Sequence, residues 1–284
     1  MRRKAWLSLG GLILIWGLLL IIVGALLPQL GVGGGMPAMD EASAFRLALG
    51  NSLALLLTFG LSAGLYYSVW KDALGGSPLA LRHIPPATWV WIALLMLGLQ
   101  AALPWLALDA ESLDLPPAWK PIEDALEATE SQIETMLLSF LTHGSIGWNL
   151  LFLAVVPGVV EELFFRGALQ GLLFRLTRPV IAIWVAAFVF SAIHGQIYGF
   201  IPRLLLGVLM GYLAFYGQSL VPAIWAHFLN NAYATLGGYI AIHLLNAPHY
   251  VRSDYRPPVW VALMGAAIAG AAGYQVYRLL RRRD

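Results

Sequence analysis

Eight stretches of about twenty predominantly apolar residues follow one another along this chain, at 5–28, 45–70, 87–108, 146–175, 179–198, 200–217, 219–243 and 258–279. Twenty such residues in a helix cross the hydrocarbon of a bilayer, and in hydrocarbon a backbone has to satisfy its own hydrogen bonds. The expected fold class is therefore all-α: a polytopic membrane helix bundle of about eight transmembrane helices with a buried polar cavity. Residues 1–284 read as a single integral-membrane domain, with no internal repeat. Composition agrees, since 60% of the residues are hydrophobic and 11% charged, where a soluble domain carries about a quarter charged residues. A net charge of +2 argues against nucleic acid as a partner and leaves the lipid bilayer and membrane-embedded molecules. Without cysteine there is no disulfide, thiolate nucleophile or thiolate metal ligand, so any chemistry falls to His, carboxylate, Arg, Asn and hydroxyl groups.

The basic, apolar opening has the look of a secretory signal, but its apolar part is longer than the roughly 7–15 residues of such a segment, so a retained first membrane helix is expected. Eight spans with a cytoplasmic N-terminus put Arg2, Arg3, Lys4, Lys71, Arg82, Arg175, Arg178, Arg278, Arg281, Arg282 and Arg283 inside, and Arg46, Lys120, Arg203, Arg252 and Arg256 outside. That excess of inside cations predicts an even number of spans with both termini cytoplasmic, and the short connections suit a bacterial inner membrane. GVGGGMP marks a flexible outer loop. Between the third and fourth spans lie eight acids against one lysine. From Pro121 on, Ile122, Leu126, Ile133 and Leu137 recur near helical spacing, which predicts an amphipathic surface helix with a solvated acidic face. The pairs Gly60/Gly64, Gly167/Gly171 and Gly207/Gly211 permit close helix packing.

The fourth span, VVPGVVEELFFRGALQGLLF, holds two adjacent glutamates and an arginine. A charge at the centre of a membrane helix costs about 2.5–3.5 kcal/mol on insertion scales, so these three need partners. Glu162 and Arg166 stand at i and i+4, the spacing for a carboxylate–guanidinium pair. Glu161 points about 100° away and is left over, a candidate general base. Pro157 removes a backbone donor one turn earlier, which predicts a kink with room for water. His194 lies near the far end of the fifth span, and His227 and Asn231 stand one turn apart in the seventh. Counted from the cytoplasmic ends at about 1.5 Å per residue, all four groups fall in one layer roughly 12–20 Å deep, where they form one expected site. The remaining histidines, His83, His143, His243 and His249, fall in loops or span ends.

The residues that carry this site also carry a pattern: EELFFR fits EExxxR, FSAIH fits FxxxH with Phe190 and His194, and HFLNN fits HxxxN with His227 and Asn231. In this order within membrane spans, they resemble the CAAX prenyl endopeptidase and bacteriocin-processing family of intramembrane glutamate proteases, also called CPBP or ABI. The resemblance runs from about Pro157 to Tyr233, within a family-like catalytic core of about 146–243. It implies that Glu161 with His194 activates a water, that His227 and Asn231 stabilise the oxyanion, that Glu162 and Arg166 support Glu161, and that the reaction is peptide-bond hydrolysis. Zinc is a possible cofactor, because Glu161, His194 and His227 would make a one-carboxylate, two-histidine set. The metal-independent route is favoured, since no HExxH helix is present and few further acids are available to support ligands.

The implied partner is a membrane protein or lipid-modified peptide substrate; oligomeric state leaves no mark in the sequence. Two other functions use similar residues. A proton-coupled transporter also buries Glu, His and Arg, although here no trail of acids leads from the layer to either surface. A non-enzymatic scaffold or immunity protein would retain the constellation for stability or partner binding.

Overall fold

The structure, a computed structural model, describes residues 2–26, 40–74, 84–107, 117–252 and 255–281. The glycine-rich GVGGGMP segment, the acidic residues 109–114, Arg82, His83, Arg282 and Arg283 lie outside them, as do the side chains of Arg2, Arg3 and Lys71. Each of the eight apolar stretches is helical over most of its described residues, and no strand occurs among the described residues. In chain order the helices are α1 (Arg2–Leu26), α2 (Glu41–Leu55), α3 (Leu61–Leu74), α4 (Pro86–Ala102), α5 (Lys120–His143), α6 (Ile146–Leu150), α7 (Val156–Glu162), α8 (Gly171–Leu176), α9 (Pro179–Ala192), α10 (Phe200–Gly217), α11 (Val221–His243) and α12 (Val259–Arg281). Among the described residues six helical stretches are long and apolar enough to cross a membrane: Lys4–Leu26, Glu41–Val69, Pro86–Leu106, Ile146–Leu176, Phe200–Gly217 and Val259–Arg281. Pro179–Ala192 is apolar but shorter, and α11 interrupts its apolar surface with His227, Asn230 and Asn231. The molecule is an integral membrane protein built as a polytopic helical bundle.

Local chemistry sets the breaks between helices. The missing N–H of Pro157 is absorbed by a π-helical turn at Leu151–Val155, in which the Val156 N–H reaches back to the Leu151 carbonyl. A second π segment, Leu163–Gln170, follows the glutamates and keeps Phe164 to Gln170 buried. Such widened turns relieve a broken hydrogen-bond ladder without ending the helix. The fifth apolar stretch stops sooner than its composition implies. α9 ends at Ala192, and 193–199 forms a turn in which Gly195 adopts φ +65° and the Ser191 hydroxyl donates to the Phe200 carbonyl at 2.7 Å.

Packing puts α11 at the centre, against α4, α7 and α10. α4 and α12 form the most extensive helix pair, and their backbones meet at two glycines: a Cβ on Gly98 would lie 2.5 Å from the Gly265 carbonyl, and one on Gly265 2.6 Å from that of Gly98. Leu95, Met96, Met210, Ala226 and Leu229 fill the space between α4, α10, α11 and α12. A second cluster, with Leu12, Tyr66, Phe164, Phe165 and Phe190, joins α1 and α3 to the segment that carries the glutamates. Gly207 and Gly211 let α10 approach α9, since Cβ atoms there would come within 3.0 Å of Ala187 and 2.7 Å of Ile183.

α5 departs from its amphipathic expectation. Ile122 is 53% exposed, whereas Glu123 and Glu130 are buried. The helix turns part of its acidic face toward the protein because polar partners wait there on the 193–199 turn: Tyr198 donates to Glu127 at 2.9 Å and Gln196 to Glu130 at 3.2 Å.

Candidate active site

The fourth membrane helix supplies the glutamates, and both are buried, Glu161 at 7% exposure and Glu162 at 0%. Arg166 donates from Nη1 to Glu162 Oε1 at 2.6 Å, the i,i+4 pair anticipated from spacing. Its Nη2 donates to the Gly207 carbonyl at 3.1 Å, and one turn on Gln170 donates to the Gly211 carbonyl at 3.2 Å. Glycine at 211 leaves no Cβ against Gln170 Oε1, where one would come within 2.8 Å, and the two rungs lock the glutamate-bearing segment to α10. The guanidinium also lies 4.6 Å from the centre of the Phe190 ring, a buried cation–π contact.

Glu162 is shared. The same Oε1 that takes Arg166 faces His227 Nδ1 at 2.8 Å, so a carboxylate, an arginine and an imidazole from α11 form one buried unit. A carboxylate only accepts, which assigns the Nδ1 proton to His227 and leaves Nε2 facing the other glutamate. His227 Nε2 lies 3.9 Å from Glu161 Oε2. One ring therefore stands between the two carboxylates, hydrogen-bonded to Glu162 and next to Glu161.

His194 follows the last turn of α9 and directs Nδ1 to its own i−4 carbonyl, Phe190, at 2.7 Å. A carbonyl also only accepts, so Nδ1 carries the proton and the Nε2 lone pair is free for other work. Among the described residues no ion-pair contact within 4.0 Å joins Glu161 to His194; the imidazole nearest Glu161 is that of His227. The two histidines meet around Phe190, whose ring centre is 5.0 Å from one and 5.8 Å from the other. Asn231 lies one turn beyond His227, and its Oδ1 accepts from Asn230 at 3.1 Å, which leaves its NH2 group to donate elsewhere. Asn230 in turn is fixed by Gln100 of α4, at 2.9 Å to its Oδ1 and 3.0 Å to its main-chain carbonyl.

For a metal, the geometry is less accommodating than the residue types. Among the described residues no three His, Asp or Glu side chains are gathered as a ligand set, and the Glu161–His227 separation of 3.9 Å comes with the other nitrogen of His227 committed to Glu162.

The surroundings include groups that sequence reasoning did not assign to the site. Gln170, Gly207 and Gly211 form the rungs described above. Arg203, read from sequence as an outer cation, sits in the first turn of α10, and its charge acts on both Glu161 and His194. It bonds Gln196 Oε1 at 2.6 Å, and Gln196 bonds Glu130. On the α5 side, burial pushes the Glu130 carboxyl above the usual glutamate range, against the opposing Arg203 charge and Gln196 bond. Burial and the bond to Glu127 push the Tyr198 phenol up to about 12. A nine-residue offset between His194 and Arg203 was the one available signal, and only a turn as tight as 193–199 gives it meaning.

The three sequence motifs of the expected site lie within this membrane helix bundle around two buried glutamates and two histidines. Residues 143–233 match the family model of type II CAAX prenyl endopeptidases, Rce1-like, and over these residues the chain is similar to that family. The matched span opens at the end of α5 and closes within α11, enclosing all six residues of the expected site. No curated protein and no solved structure matches the chain. The family match supports an intramembrane protease of the CAAX type, a hydrolase.

Proposed function

We propose that this protein is an intramembrane endopeptidase that hydrolyses a peptide bond near the C-terminus of a membrane-associated, lipid-modified substrate, with Glu161 as the base. The observation that carries this reading is the arrangement of two glutamates about one imidazole, Glu162 at 2.8 Å from His227 Nδ1 and Glu161 at 3.9 Å from Nε2. Glu161 has no hydrogen-bonded partner among the described residues, whereas its neighbour is held by two.

In the proposed reaction Glu161 takes a proton from a water oriented by the free Nε2 of His194, and the resulting hydroxide oxygen attacks the scissile carbonyl carbon. The carbonyl electrons move to oxygen, and that oxyanion is met by the Asn231 NH2 group and by His227 acting in its imidazolium form, with Nδ1–H on Glu162 and Nε2–H on the oxyanion. As the carbon–nitrogen bond breaks, Glu161 passes its proton to the leaving amine. An aligned oxyanion donor is worth about 3–4 kcal/mol in such a setting. Glu162 and Arg166 act by fixing the His227 ring. The residues stand in for no metal in this scheme. The positive-inside pattern, which includes Lys4, Arg278 and Arg281 at the ends of α1 and α12, favours both termini in the cytoplasm of a bacterial cell.

The test uses purified full-length protein in lipid, with a prenylated CaaX peptide as substrate. Glu161→Gln removes the base with little change of shape, and the expected outcome is a fall in kcat of at least about 100-fold. Retained cleavage by the variant excludes Glu161 as base. Loss of wild-type cleavage on chelation, restored by zinc, replaces the metal-free scheme with one in which a metal activates the water.

A further inference from the structure

We propose that Arg203 is a substrate-binding residue of this site, donating from Nη1 to an acceptor oxygen of the peptide chain on which Glu161 acts. This deepens the proteolytic reading and rests on it.

Several observations converge on Arg203. Its Nη1 is buried without a hydrogen-bond partner, although the same guanidinium is tightly held through Nη2 by Gln196 Oε1 at 2.6 Å. No carboxylate lies within ion-pair distance of it among the described residues. Glu130, whose charge it feels, is held off by the Gln196 amide, which donates to Glu130 at 3.2 Å and accepts from Arg203. A buried cation left in this condition is costly, and the cost falls when an oxygen ligand arrives.

The guanidinium also stands at the wrong end of its helix. Arg203 occupies the first turn of α10, at the positive end of the helix dipole, although Pro202 carries no N–H and the Phe200 N–H is already bonded to the Ile197 carbonyl. A cation there is disfavoured by the helix dipole, and an acceptor oxygen bound at the guanidinium offsets that cost. The neighbouring sequence makes room for this placement: a Cβ on Gly199 would come within 2.9 Å of Arg203 Nη2 and displace the head group from the turn. Finally, Gln196, which holds the guanidinium at 2.6 Å, stands two residues after His194 on the 193–199 turn, so Arg203 is fixed to the turn that carries His194.

Two oxygens of a peptide have the required chemistry, a main-chain carbonyl or the free C-terminal carboxylate. A prenylated CaaX peptide prepared as free acid and as C-terminal amide separates them. Arg203→Gln is expected to raise KM roughly 10- to 100-fold for the acid, with a much smaller change in kcat. If wild type prefers the acid and the variant does not, the carboxylate is the bound group; an equal rise for acid and amide identifies the main-chain carbonyl.

Arg203→Lys keeps the charge but loses the planar fork and is expected to fall between wild type and Arg203→Gln. It carries the test if the Gln variant fails to fold. Peptide affinity measured in the Glu161→Gln background gives a readout that needs no turnover, and Arg203→Gln is expected to weaken it by the same factor. Unchanged KM and affinity in a folded Arg203 variant, including one that only melts earlier, overturns the proposal. Wild-type protein that binds the peptide through Arg203 but never cleaves it contradicts the proteolytic reading and leaves the assignment of Arg203 standing.

Discussion

At the scale of single residues, Glu162 organises the site although Glu161 is the proposed base. One oxygen of Glu162 receives both Arg166 and His227, and the side chain is wholly buried. Removing one member of a buried charged unit leaves the others desolvated and unpaired, which costs about 3–5 kcal/mol. Glu162→Gln is therefore expected to lower stability by about that amount and to abolish turnover, because the His227 ring loses its anchor. Thermal unfolding in detergent measures the first effect. The double variant Glu162→Gln/Arg166→Gln is expected to lose much less than the sum of the two single losses, since it removes charge from both sides. Additive losses would mean that the pair is not coupled in the folded protein. The i,i+4 relation of Glu162 and Arg166 was legible in the sequence because helix geometry fixes it. The third partner was not, because His227 stands 65 positions away and arrives only through the packing of α11 on α7.

At the scale of elements, the turn 193–199 sets the relation between α9, which ends beside His194, and α10, which begins at Phe200. Gly195 takes φ +65°, a conformation that costs a residue with a Cβ about 1–2 kcal/mol. A Cβ at this position would meet only Thr129 Cγ2 at 3.6 Å, an ordinary contact, so the cost of substitution lies in the backbone and not in crowding. Gly195→Ala is expected to lose about 1–2 kcal/mol of stability and to lower kcat by moving His194, while Gly195→Asn, which enters this region more readily, is expected to lose less of both. Equal losses for the two would point to crowding instead. The sequence announced helices here because about twenty apolar residues in a row leave the backbone no other choice. It did not announce that the fifth stretch ends at Ala192, since Ile193, Ile197 and Phe200 continue the apolar composition through the turn. α5 was misread for the converse reason. Apolar spacing assigned Ile122 to the inner face, but Gln196 and Tyr198 on another element draw Glu130 and Glu127 inward.

At the scale of the whole molecule, α5, the acidic helix, is tied to both halves of the site. Its end is held to α11 through His243 Nε2, which donates to the Leu141 carbonyl at 2.8 Å, and its middle is held to the 193–199 turn through Glu127 and Glu130. Burial raises the Glu130 carboxyl above its ordinary value of 4.5, with Arg203 and Gln196 opposing and Glu134 adding to the rise. A group whose folded-state value is raised keeps its proton in the folded protein after the unfolded chain has released it. Stability from this group is then complete below the ordinary value and is lost as pH rises through the folded one. Glu130→Gln keeps an oxygen to accept from Gln196 and has no proton to lose. The variant is therefore expected to match wild type at about pH 4 and to melt progressively later than wild type as pH rises above about 4.5, the gap levelling once Glu130 is fully ionised. Melting curves of the two proteins in the same detergent, from about pH 4 to pH 8, measure this gap. A gap that does not change with pH would show that Glu130 titrates alike in the folded and unfolded chain, and the buried polar chain from α5 to Arg203 would then place no charge at risk when α5 seats on the turn.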